Sequence, residues 1–153
     1  MPPRVINGRE ELLALEGQQI GCSDWFEITQ DRIQMFADAT GDQQWIHIDP
    51  ERAKTESPYG KTIAHGFLTL SLCPHLAEDI FRVDGVRMGV NYGLNRVRFP
   101  NAVRVGDRVR MSSELLSVKP IQECVQAVYK HTFEVEGQEK PACVAETVVR
   151  MFF

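Results

Sequence analysis

One carboxylate and one imidazole, Asp42 and His47, stand five residues apart in the stretch Gly41-Asp42-Gln43-Gln44-Trp45-Ile46-His47. Such a pair, sharing one water, can take a proton from it and deliver one to a neighbouring carbon, which is general acid–base chemistry. The two groups must then converge. On one continuous helix a separation of five residues would place them about 140° apart around the axis. Gly41 removes the difficulty, because it follows the last apolar position of a helical pattern and can take the left-handed conformation that ends a helix. Asp42 then leaves the helix end, while Ile46 and His47 open a short extended segment, and both groups face one cavity. Taken singly, each has a plainer reading, Asp42 as a turn former and His47 as a satisfied structural histidine.

The elements that must position this pair follow from capping signals and hydrophobic period. Thr29 stands at an N-cap with Asp31 in the first turn, and Ile33, Phe36, Ala37 and Thr40 follow at helical spacing up to Gly41. Upstream, Asn7 with Glu10 and the leucines 12, 13 and 15 predict a short helix stopped by Gly17, a lid or flank. Residues 19–28 suit a first strand with an irregular middle. Downstream, Asp49-Pro50-Glu51 is a second helix start, with Asp49 as the cap, and Ser57-Pro58-Tyr59-Gly60 is a loop. Residues 63–80 read as a helix apolar nearly all round in its first three turns, which must be enclosed on most sides, and Pro74 should bend it or mark the end of its buried part. The period then changes to that of strands at 86–99, 108–119, 123–136 and 142–153, with turns at Gly106-Asp107 and Glu136-Gly137-Gln138. Consecutive strands joined by short connections should pair antiparallel, and a curled sheet could wrap the enclosed helix. The fold expected is α+β, a single domain over residues 1–153.

Composition narrows the function classes. The chain has 153 residues and a net charge of -4, with no basic block interleaved with aromatics, which argues against nucleic acid as a partner. The first residues lack an apolar signal core, and no run reaches the ~18 apolar residues needed to span a bilayer, so no membrane association and a cytoplasmic location are expected. Cys22, Cys73, Cys124 and Cys143 form no CxxC pair and read as reduced thiols rather than bridges or a zinc site. No third and fourth ligand accompany His47 and Asp49 at a recognisable spacing, so no metal is expected. Gly60-Lys61-Thr62 lacks the earlier glycine of a phosphate loop, because position 55 is Thr55. No GxGxxG occurs either, so no nucleotide redox cofactor is implied.

The stretch FADATGDQQWIHIDPERA, followed by YGKTIAHGFLTLSL and NYGLNRVRFPNAVRVGDRVR, resembles the MaoC-like dehydratase family, which includes the (R)-specific enoyl-CoA hydratases. The resemblance implies a hot-dog fold, a long central helix wrapped by a curled antiparallel sheet, forming a homodimer. It implies hydration of trans-2-enoyl thioesters and dehydration of (R)-3-hydroxyacyl thioesters, with coenzyme A or acyl carrier protein as the carrier and no other cofactor. By the family pattern Asp42 and His47 are the catalytic pair, and Gly66 supplies a backbone N–H to the thioester carbonyl, where negative charge develops. Where the most familiar hydratase motif has Asp-x-Asn-Pro, this chain has Gln44 and Trp45, so Gln44 keeps an amide on a longer arm and Trp45 replaces a rigid turn residue. Asn91, Tyr92 and Asn95 sit where polar groups could enter the acyl cavity. His65 is expected to orient the loop before the helix, and His75 and His131 to be scaffold. Among Arg96, Arg98, Arg104, Arg108 and Arg110, one or two could face coenzyme A phosphates, the rest forming a solvated sheet face. Two rivals share the scaffold: an acyl-CoA thioesterase, and a non-catalytic acyl-thioester binding protein.

Overall fold

The computed structural model describes residues 2–153; residue 1 of the expected domain lies outside the described residues. In chain order come β1 (Arg4–Ile6), α1 (Gly8–Ala14), β2 (Gln19–Cys22), β3 (Phe26–Glu27), α2 (Gln30–Thr40), α3 (Trp45–Ile48), α4 (Pro50–Glu56), α5 (Gly66–Ser71) and α6 (Cys73–Ile80). The strands β4 (Phe81–Val83), β5 (Met88–Arg98), β6 (Arg108–Ile121), β7 (Cys124–Val135) and β8 (Cys143–Phe152) complete it.

Side-chain chemistry sets most of these boundaries. Thr29 caps α2 by accepting from the Arg32 amide at 3.2 Å, and Gly41 ends it at φ 83°, a conformation that favours glycine. Asp49 caps α4 by accepting from the Arg52 amide at 3.0 Å, with Pro50 in the first turn. Glu11, rather than Glu10, reaches back to the start of α1, accepting from the Asn7 amide at 2.8 Å and from its side chain at 2.9 Å. The expected strand at 19–28 splits in two at Ser23, whose hydroxyl accepts from the Met111 amide at 2.9 Å in place of a ladder bond.

The six-stranded antiparallel sheet has the order β2-β6-β7-β8-β5, with β3 also pairing β6. On its inner face β6 and β7 bury alternate side chains, among them Val109, Met111 and Leu115 on one and Val125, Ala127, Phe133 and Val135 on the other. Leu68, Leu72, Leu76 and Ile80 repeat every four residues along α5 and α6 and are buried in the same core. Removing a large buried side chain such as Leu76 should cost about 2–5 kcal/mol.

Three expectations need correction. The expected helix over 63–80 is two helices that meet at Leu72, with Pro74 in the first turn of α6, where its missing N–H does least harm. It is not enclosed all round, because Phe67 on α5 is 67% exposed. β5 does not pair with the next strand in sequence. Its connection to β6 is held against residues 62–64 (Ala64 amide to Val103 carbonyl, 2.8 Å; Val105 amide to Thr62 carbonyl, 2.9 Å), and β5 lies beside β8 at the sheet edge. A two-stranded parallel sheet of β1 and β4, unforeseen in the sequence, flanks the core. All four cysteines are free, with Cys22 exposed. Among the described residues no helix is long and apolar enough to cross a membrane.

Candidate active site

The turn after α2 is short. Gly41 donates its amide to the Ala37 carbonyl at 2.8 Å, and Asp42 Oδ1 accepts the Gln44 amide at 3.3 Å, which starts the next helical turn. Ile46 and His47 therefore lie in α3 and not in the extended segment expected from the sequence; the local Asp42 turn wins over the β-branched residues on either side of His47. The extended residues 62–65 run beside α3 and lock it. Ile63 donates its amide to the Ile46 carbonyl at 3.0 Å, and Gln30 donates to the His47 carbonyl at 2.8 Å while its own side-chain oxygen accepts from the Thr62 hydroxyl.

This lock assigns the protons on both histidines near the turn. His47 Nδ1 lies 2.7 Å from the Ile63 carbonyl, which can only accept, so Nδ1 carries the hydrogen and Nε2 presents a lone pair. The imidazole is buried, and desolvation holds its pKa below the ordinary histidine value, so it is neutral at pH 7. His65 stacks on it, ring centroids 3.8 Å apart and planes 21° apart, and Phe36 packs on the other ring at 4.9 Å. His65 Nε2 donates to the Asp42 carbonyl at 3.1 Å, which fixes the turn that carries the carboxylate.

Asp42, His47 and His65 each offer an oxygen or ring nitrogen within 4.8 Å of the others. A water making two hydrogen bonds of about 2.8 Å spans a gap of that size. The Asp42 side chain is 53% exposed, so an incoming molecule can reach it, whereas the imidazole is sheltered. The same three groups are also a cation-sized donor set. Stacked rings direct their in-plane lone pairs side by side rather than onto one point, a poor arrangement for tetrahedral ligation.

Gly66 opens α5, and the first amides of a helix have no partner within it. It is exposed, and a Cβ there would lie 3.0 Å from Cδ1 of Phe99, so any larger residue would need that ring to shift. Gln44 is exposed beside Asp42. Trp45 lies under the Arg52 guanidinium, 4.3 Å from its ring centroid. A cavity of about 880 Å³ opens between α5, α6 and the inner face of β5, β7 and β8. Asn91 and Tyr92 line it; Asn95, Trp45 and Gln44 do not. Tyr92 and Asn95 fall at the two register shifts between β5 and β8, so they are the unpaired residues of two bulges. Of the arginines, Arg108 pairs with Glu136 and Arg110 with Glu134 on the outer sheet face, while Arg96 and Arg98 border a small outer hollow with Lys130.

From sequence alone His65 has only a loop-orienting role, because its stacking against His47 joins residues 18 positions apart. Phe99 and the Gln30–Thr62 brace were likewise missed, being contacts between distant segments.

A helix pair laid across a curled antiparallel sheet defines a hot-dog fold, and a carboxylate and an imidazole lie near the helix start. The MaoC like domain matches residues 12–135. The chain is 53% identical over 148 residues to 3-hydroxyacyl-thioester dehydratase Z of Mycobacterium tuberculosis, covering 96% of this chain and 97% of that one. It is 44% identical over 140 residues to nodulation protein N of Rhizobium leguminosarum, covering 90% and 86% respectively. The (R)-hydratase of A. caviae involved in PHA biosynthesis superposes with a TM-score of 0.71 at 24% identity, over 88% of this chain and 94% of that one. The chain belongs to the MaoC-like domain family.

Proposed function

We propose that this protein is a hydro-lyase that interconverts (R)-3-hydroxyacyl and trans-2-enoyl thioesters carried on coenzyme A or acyl carrier protein. The observation that carries the reading is the convergence of Asp42 and His47 to within 4.8 Å, with the exposed Gly66 opening α5 one residue after the His65 ring that stacks on His47. The name of the relative at 53% identity supports the reaction class.

In the hydration direction Asp42 accepts one hydrogen of a water and His47 Nε2 accepts the other. As the water oxygen bonds to C3, His47 takes its proton and passes it to C2, so the net change is addition of one water across the double bond. The Gly66 amide donates to the thioester oxygen, where charge accumulates before C2 is protonated, and the positive end of the α5 dipole assists. From Gly66 to Leu70 the helix rises about 6 Å, which carries the acyl chain from the reacting carbons into the 880 Å³ cavity. Gln44, exposed beside the carboxylate, holds substrate or water.

The working form is a homodimer. The edge strand β5 exposes Met88, Val90, Tyr92 and Leu94, and Phe67 and Phe99 extend that apolar surface to the start of α5. An edge strand this long and apolar is an association site, and a second copy laid on it would also close the cavity mouth. Four free thiols suit the reducing cytoplasm.

The test is loss of enoyl absorbance when purified protein meets trans-2-enoyl-CoA thioesters of increasing length, with free thiol measured in parallel. Hydration without thiol release supports the proposal. Thiol release would mark a thioesterase, and binding without turnover a carrier-type binding protein.

A further inference from the structure

Leu70, Ala77, Phe81 and Val149 give the cavity apolar lining and the exposed Glu78 and Arg82 give it charge, while the sheet beneath it carries two buried hydroxyls. Tyr129 on β7 and Thr147 on β8 are paired directly across the ladder, both face inward, and both line the cavity. Tyr129 is 3% exposed and Thr147 9%. Neither hydroxyl has a hydrogen-bond partner among the described residues. Phenylalanine and valine would fill nearly the same volumes without the cost of a buried, unpaired hydroxyl.

Tyr129 is also held in place. Its ring stacks with Phe81 at 5.4 Å and with His131 at 5.5 Å, and His131 is in turn fixed by the Ser113 hydroxyl at 2.8 Å from Nδ1. A buried tyrosine ring with two aromatic neighbours has little room to turn, so its hydroxyl oxygen keeps one position. Two hydroxyls on neighbouring strands, one of them rigid, can serve a single oxygen between them: a carbonyl oxygen accepting from both, or a hydroxyl accepting from Tyr129 and donating to Thr147.

We infer that this protein prefers an acyl chain bearing a keto or hydroxyl oxygen beyond the reacting carbons, received by the Tyr129 and Thr147 hydroxyls on the cavity floor. The inference rests on the hydro-lyase reading above and deepens it by naming the substrate class. A saturated chain passing the same floor leaves both hydroxyls to be served by water or by nothing. An oxygenated chain at the matching position replaces that water with fixed partners, and one such hydrogen bond is worth roughly five- to tenfold in kcat/KM.

The test compares trans-2-enoyl-CoA thioesters of equal length, unsubstituted or bearing one keto or hydroxyl group at successive carbons, on wild type, Tyr129→Phe and Thr147→Val. These substitutions remove the oxygens with little change of shape, and melting curves verify that both variants fold. The expected result is a roughly five- to tenfold advantage for one position of oxygenation in the wild type. Each variant should lose that advantage while hydrating the unsubstituted chain as well as before or better. Wild type that hydrates plain chains and shows no preference for any oxygenated one overturns this inference alone, as does a preference that survives both substitutions. Wild type that hydrates no enoyl thioester overturns the hydro-lyase reading and this inference with it.

Discussion

Gly66→Ala separates two reasons for a glycine at the start of α5. The added Cβ would sit 3.0, 3.1 and 3.3 Å from Cδ1, Cγ and Cε1 of Phe99. Carbon atoms are at ease at about 3.5–4.0 Å, so the ring must retreat by roughly half an ångström. Phe99 is partly exposed and can yield, which places the cost near the low end for overpacking, about 1 kcal/mol, or a fall in Tm of about 2–4 °C for a chain of this size. If the Gly66 amide serves the thioester oxygen, the methyl also obstructs the approach, and the loss in kcat should be about 10²-fold, on the scale of removing one oxyanion donor. Phe99→Leu in the Gly66→Ala background relieves only the first problem. Thermal melts and enoyl hydration rates on the two single variants and the double variant decide the matter. The double variant should regain the melting temperature and not the rate. Recovery of both would refute the reasoning and leave Gly66 as a packing residue alone.

Other consequences can be measured on the same protein. Burial keeps His47 neutral below the ordinary histidine pKa, so the acid limb of kcat/KM should lie below about pH 6.5. His65→Ala, which uncovers that ring, should move the limb upward and lower kcat; an unmoved limb would show that the stack has no part in tuning His47. His131 is held neutral down to about pH 4 by burial, whereas the unfolded chain binds that proton below about 6.5. Its contribution is therefore complete above pH 6.5 and is lost as pH falls toward 4, by up to about 3 kcal/mol, and His131→Asn should flatten the slope seen in urea titrations across that range. Val90→Glu with Leu94→Lys should convert a homodimer into monomers by sedimentation and reduce hydration at least tenfold. A wild type that already sediments as a monomer would contradict the edge-strand reading.

Much of this architecture is legible in single residues. Thr29, Gly41 and Asp49 act at helix ends, where a cap or a left-handed turn depends on neighbours three or four positions away, and each does what its type suggests. The long strands β6, β7 and β8 show their alternation directly, since one face is buried along their length. What the sequence hides is set by contacts between distant segments. The helical turn at His47 is held by residues 62–65, the place of β5 beside β8 depends on where its connection is anchored, and Phe67 on a seemingly enclosed helix faces outward. At the site, Asp42 and His47 were visible because a helix end brings them together locally. The stack of His65 on His47 and the meeting of Tyr129 with Thr147 arise only once the chain has folded.

The most direct measurement is the hydration of one trans-2-enoyl-CoA thioester by wild type, Asp42→Asn, His47→Ala and the double variant, followed by loss of enoyl absorbance with folding checked by thermal melts. If the two groups work on one shared water, each single variant should fall by about 10²- to 10⁴-fold, and the double variant should be little worse than the poorer single one. A folded Asp42→Asn or His47→Ala protein that keeps the wild-type rate would contradict the account.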